Sequence, residues 1–98
     1  MKKIQTIIKE VADGVLAAMK DAIESGYDYM NFEKVCGDAA VYVDVREVRL
    51  SNGMYIDDLD VCVYHAEGSH QSPRLESAIR SALPDWFDIK REVRERQY

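Results

Sequence analysis

The fold is decided by residues 39–65, which read AAVYVDVREVRLSNGMYIDDLDVCVYH. β-Branched residues alternate with polar ones on both sides of Ser51-Asn52-Gly53, a pattern typical of two antiparallel strands joined by a tight turn. A three-residue loop with Gly53 in a left-handed conformation places Leu50 opposite Met54. A two-residue Asn-Gly turn would instead mix the core and solvent faces, so we predict the three-residue register. The predicted strands are Ala39–Leu50 and Met54–His65.

This register makes the hairpin apolar on one face at its base and on the other face at its tip. Both strands change phase, around Arg46-Glu47 and Asp57-Asp58. Either paired irregularities twist the ribbon at this point, or the tip reaches past its own core. The base residues are Val41, Val43, Val45, Leu59, Val61 and Val63, and the tip residues are Val48, Leu50, Met54 and Ile56.

The tip residues are the predicted interaction site. In so small a domain the first helix cannot easily cover both faces of a ribbon, so the tip is covered either by Trp86 and Phe87 or by a partner. The simplest partner is a second copy of the chain, which meets the first across a two-fold axis. We therefore predict a homodimer formed through Val48, Leu50, Met54 and Ile56.

A long amphipathic helix is predicted ahead of the hairpin. Apolar residues recur every three or four positions from Lys3 to Ser25, and Gly26 follows at the position of a left-handed C-terminal cap. The aromatic-rich stretch Tyr27–Cys36 then predicts a short strand. The predicted buried stripe of the helix is Ile4, Ile8, Val11, Val15, Met19, Ala22 and Ile23, and it is widened by Ile7, Leu16 and Ala18.

Further helical segments are predicted after the hairpin. Ser72 before Pro73 is typical of a helix N-terminus, and this second helix ends at Pro84. Residues 85–98 favour a short charged helix over a strand. We therefore predict a single α+β domain over residues 1–98. Its long N-terminal helix packs on a three-stranded antiparallel meander that is followed by a second helix, in the order α-β-β-β-α.

Composition predicts a soluble domain with an acidic surface. The 98 residues are 47% hydrophobic and 32% charged, which suits one folded core. The net charge is −5, and residues 27–68 hold 9 acidic against 3 basic side chains. This sign disfavours direct nucleic-acid binding and predicts that any charged partner is a basic protein. Without a signal-peptide core or an apolar run near the ~20 residues of a membrane span, we predict a cytoplasmic protein with no membrane contact.

A cluster of carboxylates on the hairpin is the main candidate for chemistry. In the predicted register Asp44 faces Asp60, and Arg46 faces Asp58. The run Asp58-Leu59-Asp60-Val61 resembles the two-carboxylate strand of nucleotidyltransferases, which implies a metal-dependent enzyme using Asp44, Asp58 and Asp60. The Gly-Ser turn and helix that precede this strand in that family are absent here. The alternative is a solvated acidic face that Arg46 neutralises in part.

The sequence offers four potential zinc ligands: Cys36, Cys62, His65 and His70. Cys62 and His65 are three positions apart on a strand and therefore point to opposite faces, which disfavours a shared ion. Because no export signal is present, we expect both cysteines to be reduced thiols. We predict no metal and no other cofactor.

The predicted order α-β-β-β-α resembles the double-stranded-RNA-binding domain. That family places a Lys-rich cluster at the start of its last helix, where this chain offers only Arg74 and Arg80. The sequence therefore favours a small non-enzymatic protein–protein interaction domain that self-associates and presents an acidic sheet surface. Two alternatives stay open, a nucleic-acid-associated or DNA-mimicking protein and the metal-dependent enzyme.

Overall fold

The predicted order of helices and strands is confirmed. The structure, a computed structural model, describes residues 4–37, 39–65 and 73–96. It is an α+β fold in the order α-β-β-β-α, and its C-terminal helical part bends between two helices, the second of which is the predicted tail helix. The elements are α1 (Ile4–Glu24), β1 (Tyr29–Cys36), β2 (Ala39–Arg49), β3 (Tyr55–His65), α2 (Pro73–Ala82) and α3 (Trp86–Arg96).

The long helix α1 buries one stripe of apolar residues and ends at Gly26. The positive φ of 85° at Gly26 lets the chain turn back, so that the N–H of Tyr27 donates to the carbonyl of Ala22 over 2.9 Å. The prediction that Ile4 belongs to the buried stripe is wrong, because the stripe begins one turn later and Ile4 is 63% exposed. The residues buried on α1 are Ile7, Val11, Val15, Met19 and Ala22.

The hairpin has the predicted loop and register. Gly53 has a φ of 86°, and the N–H of Leu50 donates to the carbonyl of Met54 over 2.7 Å. Every residue of β2 pairs with one of β3 without interruption, so the ladder contains no bulge. The phase change therefore does not come from paired irregularities. The continuous ladder turns the apolar tip away from the core, as the second explanation requires.

All three helices pack on one face of the β1-β2-β3 sheet. Helix α1 contacts β1, α2 and α3, and α2 contacts β3. The hairpin valines on this face are buried: Val41, Val43, Val45, Val61 and Val63. Within the described ranges no helix or strand covers the opposite face, which we call the open face. Its residues are Tyr29, Asn31, Glu33 and Val35 on β1, Ala40, Tyr42, Asp44, Arg46 and Val48 on β2, and Ile56, Asp58, Asp60, Cys62 and Tyr64 on β3.

Helix α2 caps the outer edge of β3. The carboxylate of Glu76 accepts the backbone N–H of Val63 over 3.0 Å, and the guanidinium of Arg80 donates to the carbonyl of Leu59 over 2.9 Å. Unpaired backbone N–H and carbonyl groups on an edge strand can pair with a strand of another chain. The two bonds from α2 satisfy one N–H and one carbonyl group on the edge of β3. Pro73 is the first residue of α2, and the predicted N-cap Ser72 lies outside the described residues.

Candidate interaction surface

The hairpin tip projects beyond the third strand. β1 pairs with β2 only as far as Arg46, so the tip belongs to a two-stranded ribbon. Val48 and Ile56 share the open face, and Leu50 and Met54 follow them at the loop. Leu50 is 38%, Ile56 45% and Met54 63% exposed, whereas Val48 is half-buried. The four predicted interaction residues therefore lie together at one end of the sheet.

Trp86 and Phe87 do not cover the tip. The indole of Trp86 is fully buried and donates from Nε1 to Oε1 of Glu47 over 2.9 Å, while Phe87 packs against the core. Because neighbouring residues of a strand point to opposite faces, Glu47 and Trp86 lie on the other side of the ribbon from Val48. The interpretation of the two aromatic residues as cover for the tip is wrong, since they dock α3 onto the core.

The carboxylate of Glu47 is the centre of a half-buried polar cluster that was not predicted from the sequence. Its side chain is 10% exposed and forms an ion pair with Lys90 in addition to the bond from Trp86. Burial raises the pKa of Glu47, but the hydrogen bonds from Lys90 and Trp86 and the charges of Lys90 and Arg94 outweigh burial and hold the pKa below its usual value. The cluster thus ties α3 to the sheet.

The carboxylates of the acidic cluster lie together at the centre of the open face. Asp44 and Asp60 are directly opposite each other, as the register predicts. Nε of Arg46 lies 3.2 Å from Oδ2 of Asp58. The side-chain amide of Asn31 is oriented so that its nitrogen faces acceptors, and this nitrogen donates to Oδ1 of Asp44 over 2.8 Å. Since both members of the Arg46–Asp58 pair are exposed, it adds only about 0–1 kcal/mol to stability.

The structure does not bring the potential zinc ligands among the described residues together into a metal centre. Among the described residues, no group of three histidine, cysteine, aspartate or glutamate side chains is arranged to hold an ion. Cys36 is buried on the helix side of the sheet and Cys62 lies on the open face, and both are free thiols. The side chain of His65 and the whole of His70 lie outside the part that the structure describes.

Tyrosines flank the acidic cluster, although they were not among the site residues predicted from the sequence. The rings of Tyr42 and Tyr64 meet edge to face with centroids 5.9 Å apart, and Tyr29 meets Tyr27 in the same manner at 5.5 Å. The predicted register could have indicated this, because it puts Tyr42 and Tyr64 on the face of the acidic cluster. Tyr29 also lines an open depression together with Asn31, Asp44, Val45, Arg46, Asp58 and Asp60.

The basic residues of α2 differ from those of an RNA-binding helix. Arg80 is engaged with the edge of β3, which leaves Arg74 as the exposed cation near the start of the helix. This arrangement gives no support to the role that a resemblance to the double-stranded-RNA-binding domain would imply. In the described part of the chain, no helix is both long enough and apolar enough to cross a bilayer.

Comparison with known protein families, curated proteins and solved structures yields no match for this chain. A functional conclusion therefore rests on the geometry of the molecule itself. Two features of the open face carry it, the apolar tip at one end and the acidic cluster with its tyrosines at the centre.

Proposed function

We propose that the chain is a small, non-enzymatic protein–protein interaction domain that forms a homodimer through the hairpin tip. The observation that carries the proposal is an apolar patch on a ribbon that extends past its own core. Scattered apolar residues are common on protein surfaces, whereas contiguous exposed patches mark contact sites. Val48, Leu50, Met54 and Ile56 form such a patch.

A two-fold contact suits the electrostatics of the tip. Such a contact pairs the same patch with itself. The next row of the open face below Val48 and Ile56 holds Arg46 and Asp58, which neutralise each other. Two tips can therefore overlap across this row without bringing like charges together, provided that the contact stops short of Asp44.

The size of the tip predicts a weak dimer. Stable interfaces bury about 800 Å² on each partner, drawn from about 20–30 residues. The tip contributes four apolar side chains and the polar residues of the loop between them. We therefore expect a monomer–dimer equilibrium with a dissociation constant above about 10 µM.

Sedimentation velocity over a range of protein concentrations tests this proposal. Wild-type protein should sediment faster as its concentration rises from about 10 µM, the lower limit of the expected dissociation constant, to about 1 mM. Met54→Asp should stay monomeric throughout, because it would bury an unpaired charge in the contact. Met54 is the most exposed of the four tip residues, so this variant should fold normally.

Thr6→Asp is the matched control, since it adds the same charge at an exposed position in the first turn of α1. It should associate like wild type. The tip proposal fails if wild type is monomeric at every concentration, or if Met54→Asp and Thr6→Asp behave alike.

A further inference from the structure

The centre of the open face has an excess of negative charge. Glu33, Asp44, Asp58 and Asp60 project from it, and among the described residues of the three strands Arg46 is the one cation on this face. The charge of Arg46 is already engaged by Asp58 at 3.2 Å. The rest of the face is therefore acidic, in contrast to the balanced row that borders the tip.

Two carboxylates of this face lack a cation among the described residues. Asp44 and Asp60 stand opposite each other, where like charges repel. Asp44 accepts a bond from the neutral amide of Asn31. Asp60 has the thiol of Cys62 beside it, with Sγ 3.9 and 4.0 Å from its two oxygens. A positive group supplied from outside would relieve this repulsion.

The surroundings of these carboxylates suit a protein partner better than an inorganic ion. Tyr29 and Tyr42 are exposed on either side of the pair, and aromatic faces attract ammonium and guanidinium groups. Val35 adds exposed apolar surface at the end of the sheet away from the tip. The open face thus has an acidic centre with exposed apolar and aromatic side chains around it. A partner surface rich in arginine and hydrophobic side chains is complementary to it.

We propose that the open face docks a basic segment of a partner protein, whose arginine or lysine side chains meet Asp44 and Asp60 and pack against Tyr29 and Tyr42. Charge complementarity selects this occupant. A second copy laid face to face would set the same carboxylates against each other, and nucleic acid would present phosphates to them. The docking face lies beside the tip and does not depend on the homodimer.

A peptide of alternating arginine and threonine, about nine residues long and so spanning roughly 30 Å when extended, is a suitable probe. It is titrated into the ¹⁵N-labelled full chain at an ionic strength of about 0.15 M, where unspecific attraction is largely screened. We expect saturable amide shifts on the three strands around Asp44, and none on α1. A peptide with glutamate in place of arginine should produce no shifts.

Asp44→Asn/Asp60→Asn should weaken binding of the arginine peptide about fivefold, because two exposed charge contacts are lost. Asp13→Asn/Asp21→Asn removes the same charge from exposed positions of α1 and should change the affinity less than about twofold. Met54→Ser, which alters the tip, should also leave the affinity within about twofold. Failure of the dimer would thereby be distinguished from failure of this docking face.

Four results of the peptide titrations would each overturn the proposal. They are an absence of saturable shifts, shifts centred on the helices, equal weakening by the two pairs of asparagine substitutions, and equal binding of the glutamate peptide. A short DNA duplex that shifts the same amides as the arginine peptide would also overturn it, because the surface would then not select for positive charge.

Discussion

The two faces of the sheet come from the same alternating strands, yet they accommodate charge in opposite ways. On the helix-covered face, Glu47 is half-buried and receives both a hydrogen bond from Trp86 and an ion pair from Lys90. On the open face, Asp44 and Asp60 are exposed and face each other. A buried charge without partners is costly, so the covered face takes its partners from the same chain. Exposed charges cost little, so those of the open face can stand without a cation from the described part of the chain.

The largest expected difference between the faces is in side-chain packing. Trp86→Ala should lower the free energy of unfolding by about 3–5 kcal/mol, because it opens a cavity and removes a donor from Glu47. Tyr42→Ala on the open face should lower it by less than about 1 kcal/mol. Urea unfolding followed by far-ultraviolet circular dichroism measures both. Similar losses for the two variants would contradict the assignment of a covered and an open face.

The charge on the covered face should contribute next most strongly. Glu47→Gln should lower the free energy of unfolding by about 1–2 kcal/mol at neutral pH, because Lys90 then lies half-buried without its carboxylate.

This loss should depend on pH in a defined direction. The pKa of Glu47 is lowered on folding, so its stabilisation is fully present above the pKa of the unfolded chain and is lost as the pH falls through the folded pKa. Wild type and Glu47→Gln should therefore differ at neutral pH and converge in acid. Urea midpoints between about pH 7 and pH 3 check this, since Glu titrates in that range. A difference that is constant with pH would show that the carboxylate charge is not responsible.

The charges on the open face should have a small effect of opposite sign. Asp60→Asn removes the repulsion with Asp44 and should raise the free energy of unfolding by about 0.5 kcal/mol. The same urea experiment detects it, and lowering the ionic strength should enlarge the gain. A loss of stability would mean that Asp60 has a structural role that its exposed position does not reveal.

The smallest expected effect is that of divalent cations. An ion that binds the folded chain raises the thermal midpoint by mass action. Because the described residues form no metal centre, Mg²⁺ or Mn²⁺ at about 5 mM should leave the midpoint unchanged within about 1 °C. A clear rise in wild type that is lost in Asp44→Asn/Asp60→Asn would favour the metal-dependent enzyme using Asp44, Asp58 and Asp60 over the interaction domain.

Local chemistry explains why so much of the hairpin could be predicted from the sequence. The left-handed Gly53 and the alternation of valines act within a few residues, and together they fix which residues face each other from Val41 to Val63. The helix cap at Gly26 is equally local. The end of the buried stripe was less predictable, because the exposure of Ile4 depends on where the sheet lies under α1.

The cluster around Glu47 shows what the sequence left undetermined. Lys90 and Trp86 follow Glu47 by about forty residues, and no local sequence pattern predicts a contact over that separation. The alternation of β2 does place Glu47 on the same face as Val43 and Val45, so a strict period of two would have predicted a charge in need of a buried partner. Asp44 and Asp60 were predicted to be neighbours because their pairing follows from the loop alone.

Self-association through the hairpin tip can be followed residue by residue. Backbone amide spectra of the ¹⁵N-labelled chain are compared between about 50 µM and 1 mM, a range that brackets weak association. A contact through the tip that reaches the Arg46–Asp58 row predicts concentration-dependent shifts confined to residues 46–58, with the amides of α1 and α3 unchanged. Spectra that do not change, or shifts centred on the helices, would contradict the claim that the uncovered end of the sheet is an interaction surface.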